Sequence, residues 1–98
     1  MSAQAKIYKN LTMPQSVVSA ILERTENNCP DNTKVVRAFF NHANQLAGAG
    51  NTNGAKSYMK PIGPLSHLKR STSDLEDEEI IQLDGFGQVI LEFICSKE

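Results

Sequence analysis

Gln88-Val89-Ile90-Leu91-Glu92-Phe93-Ile94-Cys95 is a dense apolar run, and the conformation it takes decides the fold class. Read as a strand, it turns Val89, Leu91, Phe93 and Cys95 one way and Ile90 and Ile94 the other. Its β-branched and aromatic side chains favour that reading. Read as a helix, it sets Val89, Ile90, Phe93 and Ile94 on one 3.6-residue stripe. The upstream residues tip the balance towards strand. Leu75, Ile80, Ile81 and Leu83 share no helical face, Ile81 and Leu83 share a strand face, and Asp84-Gly85 is a turn signal. The expected fold is therefore α+β, with a C-terminal β-hairpin at about 80–83 and 88–95 and a small all-α bundle as the alternative. A hairpin apolar on both sides needs cover, and a free strand edge invites pairing. Hence the expectation of a homodimer through Val89, Ile90, Phe93 and Ile94.

Working back towards the N-terminus, two helices are legible as a hairpin spanning about 13–26 and 32–47. Thr12 and Gln15 have the spacing of a capping box, with Pro14 tolerated in the first turn. Val17, Val18, Ile21 and Leu22 then recur at helical spacing, and Asn27-Asn28 stop the run. In the second helix, Asp31 or Asn32 is placed to cap. Val35, Val36, Phe39, Phe40, Ala43, Leu46 and Ala47 follow one face, and Gly48 ends it. Residues 48–64, GAGNTNGAKSYMKPIGP, read as a long exposed basic loop rich in Gly, Asn and Pro. Ser73 with Glu76 again has the capping-box form, ahead of an acidic run suited to a helix start.

Charge is divided along the chain although it nearly cancels overall, at −1. Between Asn32 and Ser73 there is no carboxylate, whereas eight of the eleven acids lie in residues 71–98. Such asymmetry bears on partners and encounter rates, and hardly on fold. The polar side of the second helix carries Lys34, Arg37, Asn41, Asn44 and Gln45, and Lys56, Lys60, Lys69 and Arg70 extend the positive surface. Arg, Asn and Gln suit base edges and Lys neutralises phosphate, yet any amphipathic helix needs a polar exterior. Ninety-eight residues make one small domain, with little room for a nucleotide-binding α/β fold. Six aromatics without Trp weaken a base-stacking platform.

The motifs that resemble chemistry fail on context. Gly50 to Ser57, GNTNGAKS, nearly matches a phosphate-binding loop, but Ala55 stands where the second glycine belongs. A helix precedes it instead of a strand, and Pro61 and Pro64 interrupt the helix that the motif requires next. The glycines of Asp84 to Val89 do not bring enough oxygen ligands in order for calcium. Cys29, His42, His67 and Cys95 lack paired ligand spacing, so no metal or other cofactor is expected. A Cys29–His42 nucleophile pair has no third orienting group, so no enzymatic activity is expected. Phosphorylation at Ser73 would add negative charge to a helix start, but a simple cap accounts for the same residue.

Met1 to Lys9 lacks the apolar core of a signal peptide, and no run approaches a membrane span. Two cysteines far apart fit reduced thiols, so an intracellular, soluble protein that does not engage membranes is expected. Together these readings point to a non-catalytic interaction or regulatory protein that binds another protein. The alternative is association with RNA or DNA through the basic helix face and loop. For either partner, the residues expected to make contact are Lys34, Arg37, Asn41, Asn44, Lys56, Lys60, Lys69 and Arg70.

Overall fold

The computed structural model describes residues 10, 11 and 13–97, with side chains through Ile94. Among the described residues, six α-helices and one 3-10 turn follow one another: α1 Gln15–Asn28, α2 Asp31–Gly48, α3 Thr52–Met59, α4 Ile62–His67, the turn Thr72–Asp74, α5 Asp77–Ile81 and α6 Gln88–Lys97. Among the described residues there is no strand, so the β-hairpin expected at 80–83 and 88–95 is replaced by α5 and α6. The all-α alternative is the one that fits. The physical reason lies in burial. Wound as a helix, the segment buries Ile90, Leu91 and Ile94 together and leaves Val89 at 64% exposure. A two-stranded hairpin would have needed cover on both faces.

Local chemistry fixes where these last helices begin. Glu76, and not Ser73, supplies the capping box of α5: its carboxylate accepts the Glu79 N–H, and the Glu79 carboxylate reaches back to accept the Glu76 N–H at 3.2 Å. Ser71 caps the 3-10 turn by accepting from the Ser73 N–H at 3.3 Å. Gly85 then turns the chain with φ +84, a left-handed value that glycine adopts at little cost. The approach there is also close, because a side chain at Gly85 would stand 2.9 Å from Lys60 Cβ.

The expected helical hairpin is present, shifted by one or two residues at its ends. The predicted capping box at Thr12 lies outside the described residues; α1 begins after Pro14, and the first carbonyl it uses is that of Pro14. Neither Asp31 nor Asn32 caps α2, which starts behind Pro30. Residues 48–64 are not a loop. Asn51 accepts the Gly54 N–H at 2.9 Å and starts α3, which buries Ala55, and the chain re-enters a helix at Ile62.

α2 is the central element, packed by α1, α3 and α4. Val36, Phe39, Phe40 and Ala43 on it meet Val18 and Leu22 from α1, Ile62 and Leu65 from α4, and Ile80, Ile90, Leu91 and Ile94 from the C-terminal pair. Phe39 has ring contacts with Tyr58, Phe86 and Phe93 at centroid separations of 5.9, 6.1 and 5.2 Å. That joins α2, α3 and α6 into one core.

Polar cross-links tie α4 and its exit to the first hairpin. Arg24 donates twice to Ser66 Oγ, at 3.0 and 2.8 Å, Ser66 Oγ donates to the Gly63 carbonyl, and Asn28 donates to the Ser66 carbonyl. Asn32 is fully buried and holds the strand-like exit from α4 on both sides, donating to the Arg70 carbonyl and accepting the Thr72 N–H. The radius of gyration is 12.6 Å. That is the value for a well-packed chain of this length, about 13 Å per hundred residues.

Candidate binding groove

Between α2 and α6 runs a groove of about 410 Å³, walled at one end by the 3-10 turn. Val35 and Ala38 of α2 face Phe93 and Ile94 of α6, giving an apolar floor. Ser71, Thr72 and Ser73 form a hydroxyl-bearing wall, and Asp31 and Lys34 bring opposite charges to the rim. The volume suits one or two side chains of a partner, with the hydroxyls available to orient the group that enters.

The wall is placed by fold rather than by sequence neighbours. Asn32 clamps the backbone at Arg70 and Thr72, so the hydroxyl triplet stands against the first turns of α2. Arg70 completes the turn from outside, donating to the Asp74 carbonyl at 3.1 Å and facing Glu79 at 3.7 Å. Both partners of that ion pair are about half exposed, so solvent screens most of it. Ser73 also lines a second depression with Asp74, Leu75, Glu76, Asp77 and Glu78. The basic and acidic parts of the chain therefore meet at this residue.

The eight residues expected to bind a partner are spread over several surfaces. Lys34 lies on the groove rim, and Arg37 and Asn41 are exposed further along α2. Asn44 is half-buried and accepts the Asn10 N–H at 3.1 Å, so its amide is already used. Lys56 is exposed on α3, while Lys60 lines a small depression with Pro64, Asp84 and Gly85. Lys69 and Arg70 border a third, with Leu75, Glu79 and Leu83.

Of the four residues expected to form a dimer, Ile90 and Ile94 are spent inside this chain's own core, and Phe93 is half-buried among rings. Val89 alone of the four is exposed. Without a free strand edge, the motive for pairing through this segment is gone.

His42 is edge-on to Tyr58 at 4.4 Å and tilted against Phe93 at 4.9 Å, which places it in the aromatic cluster. His67 is exposed at the end of α4, and Cys29 is a half-buried free thiol at the end of α1. Among the described residues, no group of three His, Cys, Asp or Glu side chains is placed to hold a metal. Among them, no helix is long and apolar enough to cross a membrane.

Sequence reading missed the groove because its two long walls, Val35/Ala38 and Phe93/Ile94, are more than fifty residues apart. It missed Asn32 as well, because an Asn at a helix start has the ordinary signature of a cap. No protein-family model matches the chain, nor does any curated protein or solved structure.

Proposed function

We propose that this protein is a non-catalytic interaction module that binds a segment of another protein in the α2–α6 groove. The segment fitted to it carries an apolar anchor and acidic flanks. The observation that supports the reading is an apolar floor of Val35, Ala38, Phe93 and Ile94 opening beside Lys34, with Arg37 and Asn41 exposed on the same helix. Apolar side chains supply the attraction, and Lys34 favours an acidic flank on its part of the rim, while Asp31 disfavours one beside it. Binding to RNA or DNA would draw on Lys56, Lys60, Lys69 and Arg70 as well; Lys60, Lys69 and Arg70 border depressions other than the groove, and Lys56 is exposed on α3.

The test is affinity capture with the full chain from the native source, with and without nuclease, repeated with two variants. Ala38→Trp fills the groove, and Lys34→Glu reverses its rim charge. Capture that survives nuclease but is lost with either variant supports the reading. Capture unaffected by both variants, or abolished by nuclease, overturns it. A steep loss of capture as salt rises would count towards nucleic acid, since affinity then tracks the phosphates neutralised.

A further inference from the structure

We propose that Ser73 is a phosphorylation site for an acid-directed serine/threonine protein kinase, and that the phosphate it receives stands on the groove wall shared with Lys34. Three successive hydroxyls, Ser71, Thr72 and Ser73, precede the acidic run, and the fold separates them. Ser71 and Thr72 are 9% and 5% exposed, whereas Ser73 is open to solvent. Ser71 Oγ also accepts the Ser73 N–H at 3.3 Å, and the Ser71 and Ser73 hydroxyls pair with each other at 2.8 Å. Only one of the three is presented.

The surroundings of Ser73 decide which kind of kinase reads it. Asp74, Glu76, Asp77, Glu78 and Glu79 come after it in the chain, and all five are exposed. They offer a dense anionic surface to an enzyme with a cationic substrate channel. On the other side, Lys69 and Arg70 would suit a kinase that reads upstream cations. Arg70 is turned into its own chain, however, with its guanidinium on the Asp74 carbonyl and facing Glu79. The acids are presented and that cation is engaged.

The backbone beyond the Asn32 clamp at Thr72 is held only by local bonds. One 3-10 turn spans Thr72–Asp74 between extended Ser71 and Leu75, with ψ of 141 and 145. Two backbone bonds close it, Asp74 N–H to the Ser71 carbonyl at 2.9 Å and Leu75 N–H to the Thr72 carbonyl at 3.2 Å. Short 3-10 segments have poor hydrogen-bond geometry, and local opening of such a turn needs no global unfolding.

In the transfer, Ser73 Oγ attacks the γ-phosphorus of ATP. The new P–O ester bond forms as the bond from the γ-phosphorus to the bridging oxygen breaks, ADP departs, and the hydroxyl proton passes to the kinase's catalytic carboxylate. The product carries about −1.5 to −2 charge and three acceptor oxygens. Its pairing with the Ser71 hydroxyl is lost, and the phosphate joins Lys34 on the lining of one groove. If the groove takes acidic segments, as proposed above, the phosphate repels them. The modification itself stands without that reading.

The experiment incubates the full chain with casein kinase 2, ATP and Mg²⁺ and maps the phosphate by mass spectrometry. A parallel arm uses a kinase directed by upstream basic residues. The result expected is one phosphate on Ser73, none on Ser73→Ala, and about tenfold or greater slowing when Glu76→Gln and Asp77→Asn are combined, as when charge pairs across an interface are removed. Circular dichroism checks that both variants remain folded. No incorporation, incorporation at Ser71 or Thr72, indifference to the double variant, or modification in the basic-directed arm alone would each overturn the assignment. Placement on the wall is read separately by amide shifts of the phosphorylated chain. Lys34 and Ala38 should move while α1 stays still; unmoved Lys34 and Ala38 amides overturn the placement. Neither readout uses a partner, so a failed capture experiment leaves both intact.

Discussion

Asn32 and Thr72 lie 40 residues apart, and the buried side-chain oxygen of the first accepts the backbone N–H of the second at 2.9 Å. The same amide donates to the Arg70 carbonyl at 2.9 Å. One side chain thus satisfies a donor and an acceptor that have no helix or sheet to pair with. It also fixes the hydroxyl wall of the groove against α2.

Replacing Asn32 with Ala leaves that N–H and that carbonyl unpaired in the interior. The expected cost is about 2–4 kcal/mol, since each unsatisfied buried group carries about 1–3 kcal/mol. Urea denaturation should show the midpoint falling with an unchanged slope. Asn32→Asp keeps the acceptor, loses the donor and buries a charge, so it should be no better tolerated than Ala.

Val89 and Leu91 separate helix from strand in the C-terminal segment. On a strand they would share a face, but here Val89 is 64% exposed and Leu91 is 4% exposed. Val89→Lys should change stability by no more than about 0.5 kcal/mol, the range for surface substitutions. Leu91→Lys should prevent stable folding. Equal tolerance of the two, measured by thermal melting, would refute the helix.

Gly50 and Gly85 have nearly the same backbone angle, φ +86 and +84, but different surroundings. Among the described residues, an added Cβ meets nothing within 4 Å at Gly50, whereas at Gly85 it meets Lys60 Cβ at 2.9 Å and backbone at 3.1 Å. Gly50→Ala should therefore cost only the conformational penalty of about 1–2 kcal/mol. Gly85→Ala should cost clearly more by the same denaturation assay, and the difference reports the closeness of the α3–α4 junction to the turn before α6.

Thr33 is buried, and its hydroxyl oxygen finds no hydrogen-bond partner among the described residues. Val has nearly the same shape without the polar group, so Thr33→Val should raise stability by up to about 1–2 kcal/mol, the scale of leaving a hydroxyl unsatisfied. A fall in melting temperature would show that the oxygen has a use in solution.

The helical hairpin was legible because its two halves carry long apolar stripes, and Val18, Leu22, Val36, Phe39, Phe40 and Ala43 are all buried as the 3.6-residue period requires. Shorter segments were not. The turn chemistry of residues 48–64 concealed α3, whose helix is set by Asn51 capping and by Ala55 packing on the core. Glu76 displaced Ser73 as the cap of α5 because the side chain that wins is the one whose backbone is held extended at that point.

Local sequence determined where α1 and α2 run, which of their faces turn inward, and that the chain's acids and bases are segregated. Tertiary structure decided the rest: that 88–95 winds as a helix, that Asn32 serves a distant loop, and that a groove opens between α2 and α6. The difference is physical. A long amphipathic helix repeats its instruction every turn, whereas a short apolar run satisfies either period and takes the one whose neighbours can bury it.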